Sequence, residues 1–414
     1  MKTRWWCKIV FAASGLACGG TGPGLPDSHI DDEDSDYYVP LADEDGKTDR
    51  VVSRLAFTNA CAAGPKLVIS AVGDVLLHSS LQRQAYRASD GARTLWKDVE
   101  PLFAKAHISY ANLEGPAASG VVASGRDARD PGKVYDGSVY SGYPQFNYHP
   151  SLLADLVAAG IDIVSTANNH ALDRRALGAN RTIAGLNAAA LKFSGTRTST
   201  ASSRTFHTTT SAAGFKIAWL ACTFSTNGIR DAKDQVLMCY EDTTEIEGII
   251  RALAKTPGID AVIVTPHWGN EYEATPSSSQ KSLGKKFLNA GALAVIGSHP
   301  HVTQPWEKFV TADGRETFII YSLGNFVSAQ SQLARRSTLV LYLGLTRGAN
   351  GKTIINGVRY VPLTMTSTSA GRSLKFASEA GSTASSYRLT VGMFGRDNRL
   401  APTDPVVTNP ECPR

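Results

Sequence analysis

Polar side chains of the types that bind metal ions follow five apolar segments of this chain. They lie in the motifs Gly-Asp, Asn-Leu-Glu-Gly-Pro, Asn-Asn-His-Ala-Leu-Asp, Pro-His-Trp-Gly and Gly-Ser-His-Pro-His. The residues concerned are Asp74, Glu114, Asn169, His170, His267, His299 and His301. Oxygen and nitrogen ligands without cysteine suit Mn, Fe or Zn. Seven such residues are too many for one catalytic ion with an open position, so the set predicts two divalent ions that share a bridging carboxylate and a hydroxide.

Each motif alone is a weak indicator of a metal site. A single histidine after a strand is more often a structural residue than a ligand. The His299-Pro300-His301 segment is more specific, because proline fixes the backbone between two ligands. The prediction therefore depends on finding all five motifs together in one chain.

The elements that must position these motifs alternate between strands and helices from Lys66 onward. Apolar runs directly before the motifs predict buried strands at 67–72, 108–112, 161–166, 261–265 and 293–296. Helices are predicted at 93–106, 151–159, 175–190, 244–254 and 280–290. Strands alone are predicted afterwards, at 317–322, 338–345 and 353–362. This pattern indicates a layered α/β sandwich, in which sites assemble at the carboxyl ends of strands.

The order of the motifs, which ends in Tyr-Ser-Leu-Gly-Asn-Phe, resembles the CapA or PGA_cap family of bacterial capsule synthesis proteins over about residues 67–330. That family is tied to poly-γ-glutamate capsule synthesis and is similar to the calcineurin-like metallophosphoesterases. The resemblance implies the four-layer α-β-β-α sandwich of metallo-dependent phosphatases, with a strand-rich C-terminal part.

The resemblance also implies roles for the matching residues. Glu114 stands where the superfamily has a bridging Asp, and His170 stands where it has a general acid near the leaving group. The implied metal ligands are Asp74, Glu114, Asn169, His267, His299 and His301. The implied mechanism is attack by a hydroxide that bridges the two metals, which also stabilise charge on the substrate oxygens.

Two departures from the family pattern affect this assignment. Many members of the superfamily have Asp-x-His in the first motif, whereas Asp74-Val75-Leu76 supplies no histidine, so we expect one metal to be held more loosely. His78 comes two residues late and is predicted to be structural. Arg174 and Arg175 replace the usual small residues after Asp173, and they either reach an anion or face water.

Two further segments allow more than one interpretation. Residues 117–145 form a long polar loop after the Glu114 motif, which is either a lid over the substrate or a surface loop. Asn325, in the last motif, either hydrogen-bonds a ligand or serves only in a turn.

The N-terminal residues have the features of an export signal. Lys2, Arg4 and Lys8 precede a short apolar stretch at 9–17, and Ala17-Cys18 indicates a lipoprotein signal with Cys18 lipidated; an ordinary cleaved signal peptide is the alternative. The predicted organisation is a signal at 1–18, an acidic disordered linker at 19–63, the metallophosphoesterase-like domain at 64–365 and a weakly patterned extension at 366–414. The longest apolar run is shorter than the ~18 residues of a membrane span, which excludes a multi-pass membrane protein.

Charge and cysteine content bear on partners and compartment. Residues 1–63 hold 10 of the 37 acidic and 6 of the 42 basic residues, so the remainder has 36 basic and 27 acidic residues, a net charge of +9. This favours an anionic substrate or surface, and a merely solvated basic surface is the alternative. An even number of cysteines beyond the signal favours two disulfides, Cys61–Cys412 and Cys222–Cys239.

Three functions follow from these observations. The first is an envelope-anchored two-metal hydrolase that acts on a phosphoester or an envelope polymer. The second is a non-catalytic or weakly catalytic component of a polyglutamate capsule synthesis or export complex. The third is a binding lipoprotein with a dead site, which the complete ligand set argues against. The expected partners are an anionic substrate or polymer, the membrane through Cys18 and a capsule synthesis complex, with no nucleic acid.

Overall fold

The computed structural model describes residues 54–412, in which fourteen strands form two β-sheets. The strands, in chain order, are β1 (Lys66–Val75), β2 (Ile108–Leu113), β3 (Ile163–Ser165), β4 (Lys192–Ser194), β5 (His207–Ala212), β6 (Phe215–Thr223), β7 (Ala261–His267), β8 (Ala294–Ile296), β9 (Thr303–Val310), β10 (Glu316–Leu323), β11 (Asn325–Val327), β12 (Ser337–Arg347), β13 (Thr353–Thr368) and β14 (Gly371–Phe376).

Seven α-helices connect or cover these strands. They are α1 (Ser79–Arg87), α2 (Ser151–Ala158), α3 (Arg175–Ala188), α4 (Thr243–Lys255), α5 (Ser278–Ala290), α6 (Leu333–Arg336) and α7 (Ala384–Phe394). Among the described residues, no helix combines the length and the apolar character needed to cross a bilayer.

The first sheet has the strand order β14-β13-β12-β1-β2-β3-β4, with β11 paired to β1. The second has the order β5-β6-β7-β8-β10-β9. Strands β1 to β4 are mutually parallel, as are β6, β7, β8 and β10. Each sheet therefore collects the carboxyl ends of four strands at one edge, where loops can assemble a site.

The layers are held together by three apolar clusters. Between the sheets, Ile69 and Tyr110 pack with Trp219 and Ile263, and the Tyr110 and Trp219 rings stack with centroids 5.5 Å apart. Helices α1 and α2 cover the outer face of the first sheet, and helices α4 and α5 cover the outer face of the second. This arrangement confirms the predicted four-layer α-β-β-α sandwich.

The helix predicted at 93–106 is wrong in detail. The structure has two short 3-10 segments there, Gly91–Leu95 and Glu100–Lys105. Pro101 explains the interruption, because proline has no N–H to donate and is tolerated only in the first turn of a helix.

The boundary predicted at residue 365 does not appear in the structure. Strand β13 continues to Thr368, and β14 pairs with it antiparallel. Helix α7 then packs Phe394 against Trp306, with ring centroids 4.8 Å apart. The weakly patterned extension thus supplies an edge strand and a covering helix, because its pairing partners lie earlier in the chain.

Residues 54–63, which the sequence assigns to the linker, also pack on the folded unit. Arg54 Nη1 lies 2.6 Å from Glu411 Oε1, and the Thr58 N–H donates to Glu316 Oε2 at 2.7 Å. Phe57 and Ala60 are buried in the core between the sheets. The predicted signal at 1–18 and the linker up to residue 53 lie outside the described residues.

Both predicted disulfides are present. Cys61 pairs with Cys412, with their Cα atoms 5.1 Å apart, and Cys222 pairs with Cys239, with their Cα atoms 5.0 Å apart. The first bond connects the two ends of the described chain, and the second connects β6 to the loop that follows it. Both are consistent with an oxidising compartment.

Candidate metal centre

The predicted ligands come from the carboxyl ends of strands in both sheets. Asp74 is the second-last residue of β1, Glu114 directly follows β2, and His267 is the last residue of β7. The others follow β3 and β8. All seven predicted site residues are at most 5% exposed, namely Asp74, Glu114, Asn169, His170, His267, His299 and His301.

Two glycines allow the strands to approach closely enough for this assembly. A Cβ on Gly73 would lie 1.7 Å from the carbonyl oxygen of Gly324, and a Cβ on Gly297 would lie 2.0 Å from that of Tyr321. Any larger residue would push β1 away from its neighbour or displace the start of the His-Pro-His segment. The glycines beside these ligands are therefore required by backbone contact.

The His-Pro-His segment has an unusual backbone. His299 has φ of 99° and His301 has φ of 59°, in the left-handed region that L-residues rarely adopt. Such residues cost on the order of 1–3 kcal/mol each and are retained where the surroundings hold them. Here Tyr272 N–H donates to Pro300 O at 2.7 Å, and Asn325 Nδ2 donates to His301 O at 3.2 Å. Asn325 thus positions a candidate ligand, one of its two predicted roles.

Glu114 lies between two groups of candidate ligands. The ligand atoms of Asp74, Glu114 and His301 lie within 4.8 Å of one another, and those of Glu114, His267 and His299 do the same. Glu114 Oε1 is 3.6 Å from His267 Nε2 and 3.7 Å from His301 Nε2. Asn169 Oδ1 joins the second group, 2.8 Å from His267 Nε2. The structure therefore brings together all six predicted ligands, with Glu114 in the shared position.

The electrostatics of this cluster fit divalent cations. Neither carboxylate oxygen of Glu114 has a hydrogen-bond partner among the described residues, although the side chain is fully buried. Burial raises the pKa of Glu114 well above its usual value, and the charge of Asp74 raises it further. A buried carboxylate without a partner is costly, and a bound cation offsets that cost. The ligand set and the buried Glu114 carboxylate together fit divalent metal ions.

Two of the candidate histidine ligands, His267 and His299, favour the neutral form that metal binding requires. Burial lowers the pKa of His267 and of His299 well below the ordinary value, and the neighbouring histidines add to the shift. Ser298 Oγ lies 3.0 Å from His267 Nδ1, which leaves Nε2 directed at Glu114 and Asn169. Contacts of this kind fix the orientation of a metal-binding imidazole.

His170 lies beside the cluster and is paired with a buried acid. Its Nδ1 is 2.8 Å from Asp173 Oδ2, which also accepts the Phe146 N–H at 2.7 Å. The Phe146 ring packs edge-on against His170, with centroids 4.7 Å apart. Burial, and next the neighbouring histidines, among them His170, lowers the pKa of His267, so His170 lies near that candidate ligand. Asp173 therefore occupies one ring nitrogen and leaves Nε2 for another group.

Comparison with known proteins places this site in a family. The model of the bacterial capsule synthesis protein PGA_cap family matches residues 68–330. The chain belongs to the PGA_cap family. The family predicted from the motifs is thus confirmed, and the match covers all seven predicted site residues.

Two relatives of this PGA_cap chain come from Bacillus. The PGA biosynthesis protein CapA of Bacillus subtilis (strain 168) is 26% identical over 288 residues, 69% of this chain and 70% of the relative. The capsule biosynthesis protein CapA of Bacillus anthracis is 27% identical over 285 residues, 67% of this chain and 64% of the relative.

Solved structures give weaker matches to the PGA_cap chain. The NAD nucleotidase NadN of Haemophilus influenzae has a TM-score of 0.47 and 14% identity, and the alignment covers 81% of this chain and 57% of NadN. The sulfate thiohydrolase SoxB of Thermus thermophilus has a TM-score of 0.37 and 11% identity, covering 72% and 56%.

Arg174 has neither of the two roles predicted for it. The side chain is buried, and it donates from Nε to Val121 O at 3.0 Å and from its Nη atoms to Gln145 O and Val139 O at 3.2 Å. Burial lowers its pKa to about 10. The guanidinium thus fixes the 117–145 loop of this PGA_cap protein to the start of α3, instead of binding an anion or facing water.

His78 has the contacts of a structural residue, as predicted. Its ring packs edge-on against Phe146, with centroids 5.4 Å apart, and its Nδ1 accepts the Ala329 N–H at 3.4 Å. Burial lowers the pKa of His78 to about 4, and the nearby His301 contributes. His78 is therefore neutral at physiological pH.

One candidate ligand of the PGA_cap site was missed from the sequence. An oxygen of Glu271 lies within 4.8 Å of ring nitrogens of both His299 and His301. Glu271 is exposed and lies in the loop after β7, so no apolar run directly precedes it. Its place in the Pro-His-Trp-Gly-x-Glu-Tyr motif was the only signal that could have identified it.

Proposed function

We propose that this protein is a two-metal hydrolase of the CapA type. The observation that carries the proposal is the buried Glu114 carboxylate, which has no hydrogen-bond partner within residues 54–412 and belongs to both ligand groups. Two divalent ions, Mn, Fe or Zn, when bound, supply Lewis acidity for a substrate oxygen and lower the pKa of water. Asp74, Glu114 and His301 would hold one ion, and Glu114, Asn169, His267 and His299 would hold the other.

The chain's own residues then handle orientation and proton transfer. His170 presents Nε2 as the proton donor to the leaving group, while Asp173 holds the ring from its other nitrogen and stabilises the protonated form. General acid catalysis of this type contributes roughly 10²–10⁴-fold. Phe146 packs against the same ring and limits the access of water on that side.

The proposed substrate is anionic, either a phosphoester or an envelope polymer. The net charge of +9 in residues 64–414 supports an anionic substrate. The proposed divalent cations would also attract the oxygens of an anionic substrate. The proposed partner is a capsule synthesis complex, which is supported by the names of the Bacillus relatives, both described as biosynthesis proteins. These names also favour a second candidate function, a weakly catalytic component of such a complex.

Turnover of a chromogenic phosphodiester by the purified full chain with added Mn²⁺ tests the hydrolase. We expect turnover that disappears in Glu114→Ala and persists in Glu379→Gln, since Glu379 is an exposed residue outside the ligand set that contacts Arg396 and the Tyr387 hydroxyl. Metal binding without turnover of phosphodiester, phosphomonoester or polyglutamate would favour the second candidate and refute the hydrolase.

The proposed location is the cell envelope, with the protein exported and anchored through a lipid on Cys18. The two disulfides support an oxidising compartment, and the Ala17-Cys18 sequence supports lipidation. Cys18→Ala should move the protein from the membrane fraction to the soluble fraction, whereas Cys7→Ala should leave it membrane-bound. Unchanged membrane attachment of Cys18→Ala would contradict the anchor.

A further inference from the structure

The two groups of candidate ligands are unequal in number. The group around Asp74 has three members, Asp74, Glu114 and His301, whereas the group around His267 has four once Asn169 is included. Many members of the superfamily that the motifs resemble have a histidine two residues after the first Asp, whereas this chain has Leu76 there. Leu76 is 2% exposed and packs in the apolar cluster under α1, so this position offers no ligand.

Glu271 lies beside one histidine of each group of candidate ligands. One of its carboxylate oxygens lies within 4.8 Å of ring nitrogens of His299 and His301, one from each group. It comes from the loop after β7 in the second sheet, whereas Leu76 follows β1 in the first. Because Glu271 is exposed while Glu114 is fully buried, Glu271 covers the histidines from the solvent side.

The backbone that carries Glu271 is held in place. Tyr272 N–H donates to Pro300 O at 2.7 Å, which attaches the loop directly to the His-Pro-His segment. The Tyr272 ring lies 6.0 Å from that of His301, and the Arg335 guanidinium stacks on it at 3.5 Å from the ring centroid. Tyr272 OH also accepts a hydrogen bond from Gln330 Nε2 at 3.2 Å. The position of Glu271 is therefore set by its neighbour.

We propose that Glu271 is a further metal ligand that supplies, from the opposite sheet, the donor missing at Leu76. The inference rests on the proposed two-metal centre. With Glu271, each group has four protein donors, and Glu114 is counted in both. A carboxylate oxygen is a harder ligand than the imidazole it replaces, so the ion on the Asp74 side should prefer Mn²⁺ over Zn²⁺ more than an imidazole site would.

Mn²⁺ titration of the metal-free full chain by calorimetry, with metal content measured after dialysis, tests this role. We expect Glu271→Gln to lower the affinity for one of the two ions by about 10- to 100-fold or more. Even residues that only hydrogen-bond to metal ligands change metal affinity on this scale. Glu273→Gln is the matched control, because Glu273 is exposed in the same loop and only its carbonyl is used, by Gln304 Nε2. We expect Glu273→Gln to bind both Mn²⁺ ions with the affinities of the wild type.

Each outcome separates this role from the proposed function. Two ions bound with unchanged affinity in Glu271→Gln would overturn the ligand role, and a higher KM with unchanged metal binding would assign Glu271 to the substrate instead. Fewer than two ions in the wild type would remove the two-metal centre itself. In a further outcome, the wild type binds two ions and Glu271→Gln binds one of them more weakly, while neither protein hydrolyses a substrate. That result would refute the hydrolase and leave Glu271 as a metal ligand.

Discussion

His170 Nδ1 lies 2.8 Å from Asp173 Oδ2, and both side chains are buried. The same carboxylate oxygen accepts the Phe146 N–H, so its position is fixed from a second direction. A buried carboxylate of this kind orients an imidazole and stabilises its protonated form. In the proposed mechanism this pair transfers the proton, and neither residue is one of the six proposed metal ligands.

Replacing Asp173 with Asn should lower kcat while leaving the metal content unchanged. The amide keeps the size of the side chain but removes the charge that stabilises protonated His170. Measurement of kcat beside metal analysis checks this. Loss of metal in Asp173→Asn would instead indicate a structural role for the carboxylate.

Replacing His170 with Ala should reduce kcat by about 10²–10⁴-fold for substrates with poor leaving groups. The reduction should shrink for nitrophenyl esters, because good leaving groups depart without a proton. A series of aryl phosphodiesters with leaving groups of different pKa measures the trend. An equal loss across the series would show that His170 is not the acid.

Replacing Glu114 with Gln should show separately how the buried carboxylate and the bound metals change the free energy of unfolding. Burial, and next the charge of Asp74, raises the pKa of Glu114, so the folded state holds its proton more tightly than the unfolded state does. Its contribution to stability is thus present below the unfolded pKa and is lost as the pH rises through the folded value. At pH 7 in EDTA, Glu114→Gln should therefore have a Tm at least equal to that of the wild type.

With added Mn²⁺, the wild type should have a higher Tm than Glu114→Gln. The wild type should gain about 2.7 kcal/mol for each bound ion at a free metal concentration 100 times Kd, whereas Glu114→Gln should gain much less. Thermal unfolding at several Mn²⁺ concentrations measures both effects. A metal-free Glu114→Gln variant well below the wild type in Tm would show that the carboxylate is stabilising without metal.

The stability of the protein should fall in acid partly because of His78. Its pKa is lowered to about 4 by burial, and next by His301, against 6.5 when unfolded. Its contribution is therefore complete above pH 6.5 and declines as the pH falls toward 4. Denaturant unfolding of His78→Gln between pH 5 and 7.5 should show a shallower dependence, by up to about 1.4 kcal/mol per pH unit for one proton. An unchanged slope would contradict the assignment.

The sequence predicted the elements that combine a strong local pattern with a polar motif. Apolar runs followed by Asp74, Glu114 and His267 identified strands and ligands together, because the carboxyl ends of parallel strands share one edge. The helix predicted at 93–106 was wrong because Pro101 interrupts an otherwise favourable helical pattern. Strand β14 and helix α7 were not predicted, because Ser- and Thr-rich segments have weak patterns and are stabilised by distant partners such as Trp306.

The roles of individual charged residues were harder to predict. Arg174 is buried because backbone carbonyls of a distant loop satisfy its guanidinium, and no local pattern encodes that contact. Glu271 was missed for the opposite reason. An exposed acid in a loop resembles many surface residues until the fold brings it beside His299 and His301.

The metal content of the purified full chain and of three variants tests whether Glu114 is shared by two ions. We expect two Mn²⁺ per wild-type chain, one in His267→Ala, one in His301→Ala and none in Glu114→Ala, measured by mass spectrometry after dialysis. One ion or fewer in the wild type, or two ions retained in Glu114→Ala, would contradict the shared position of Glu114.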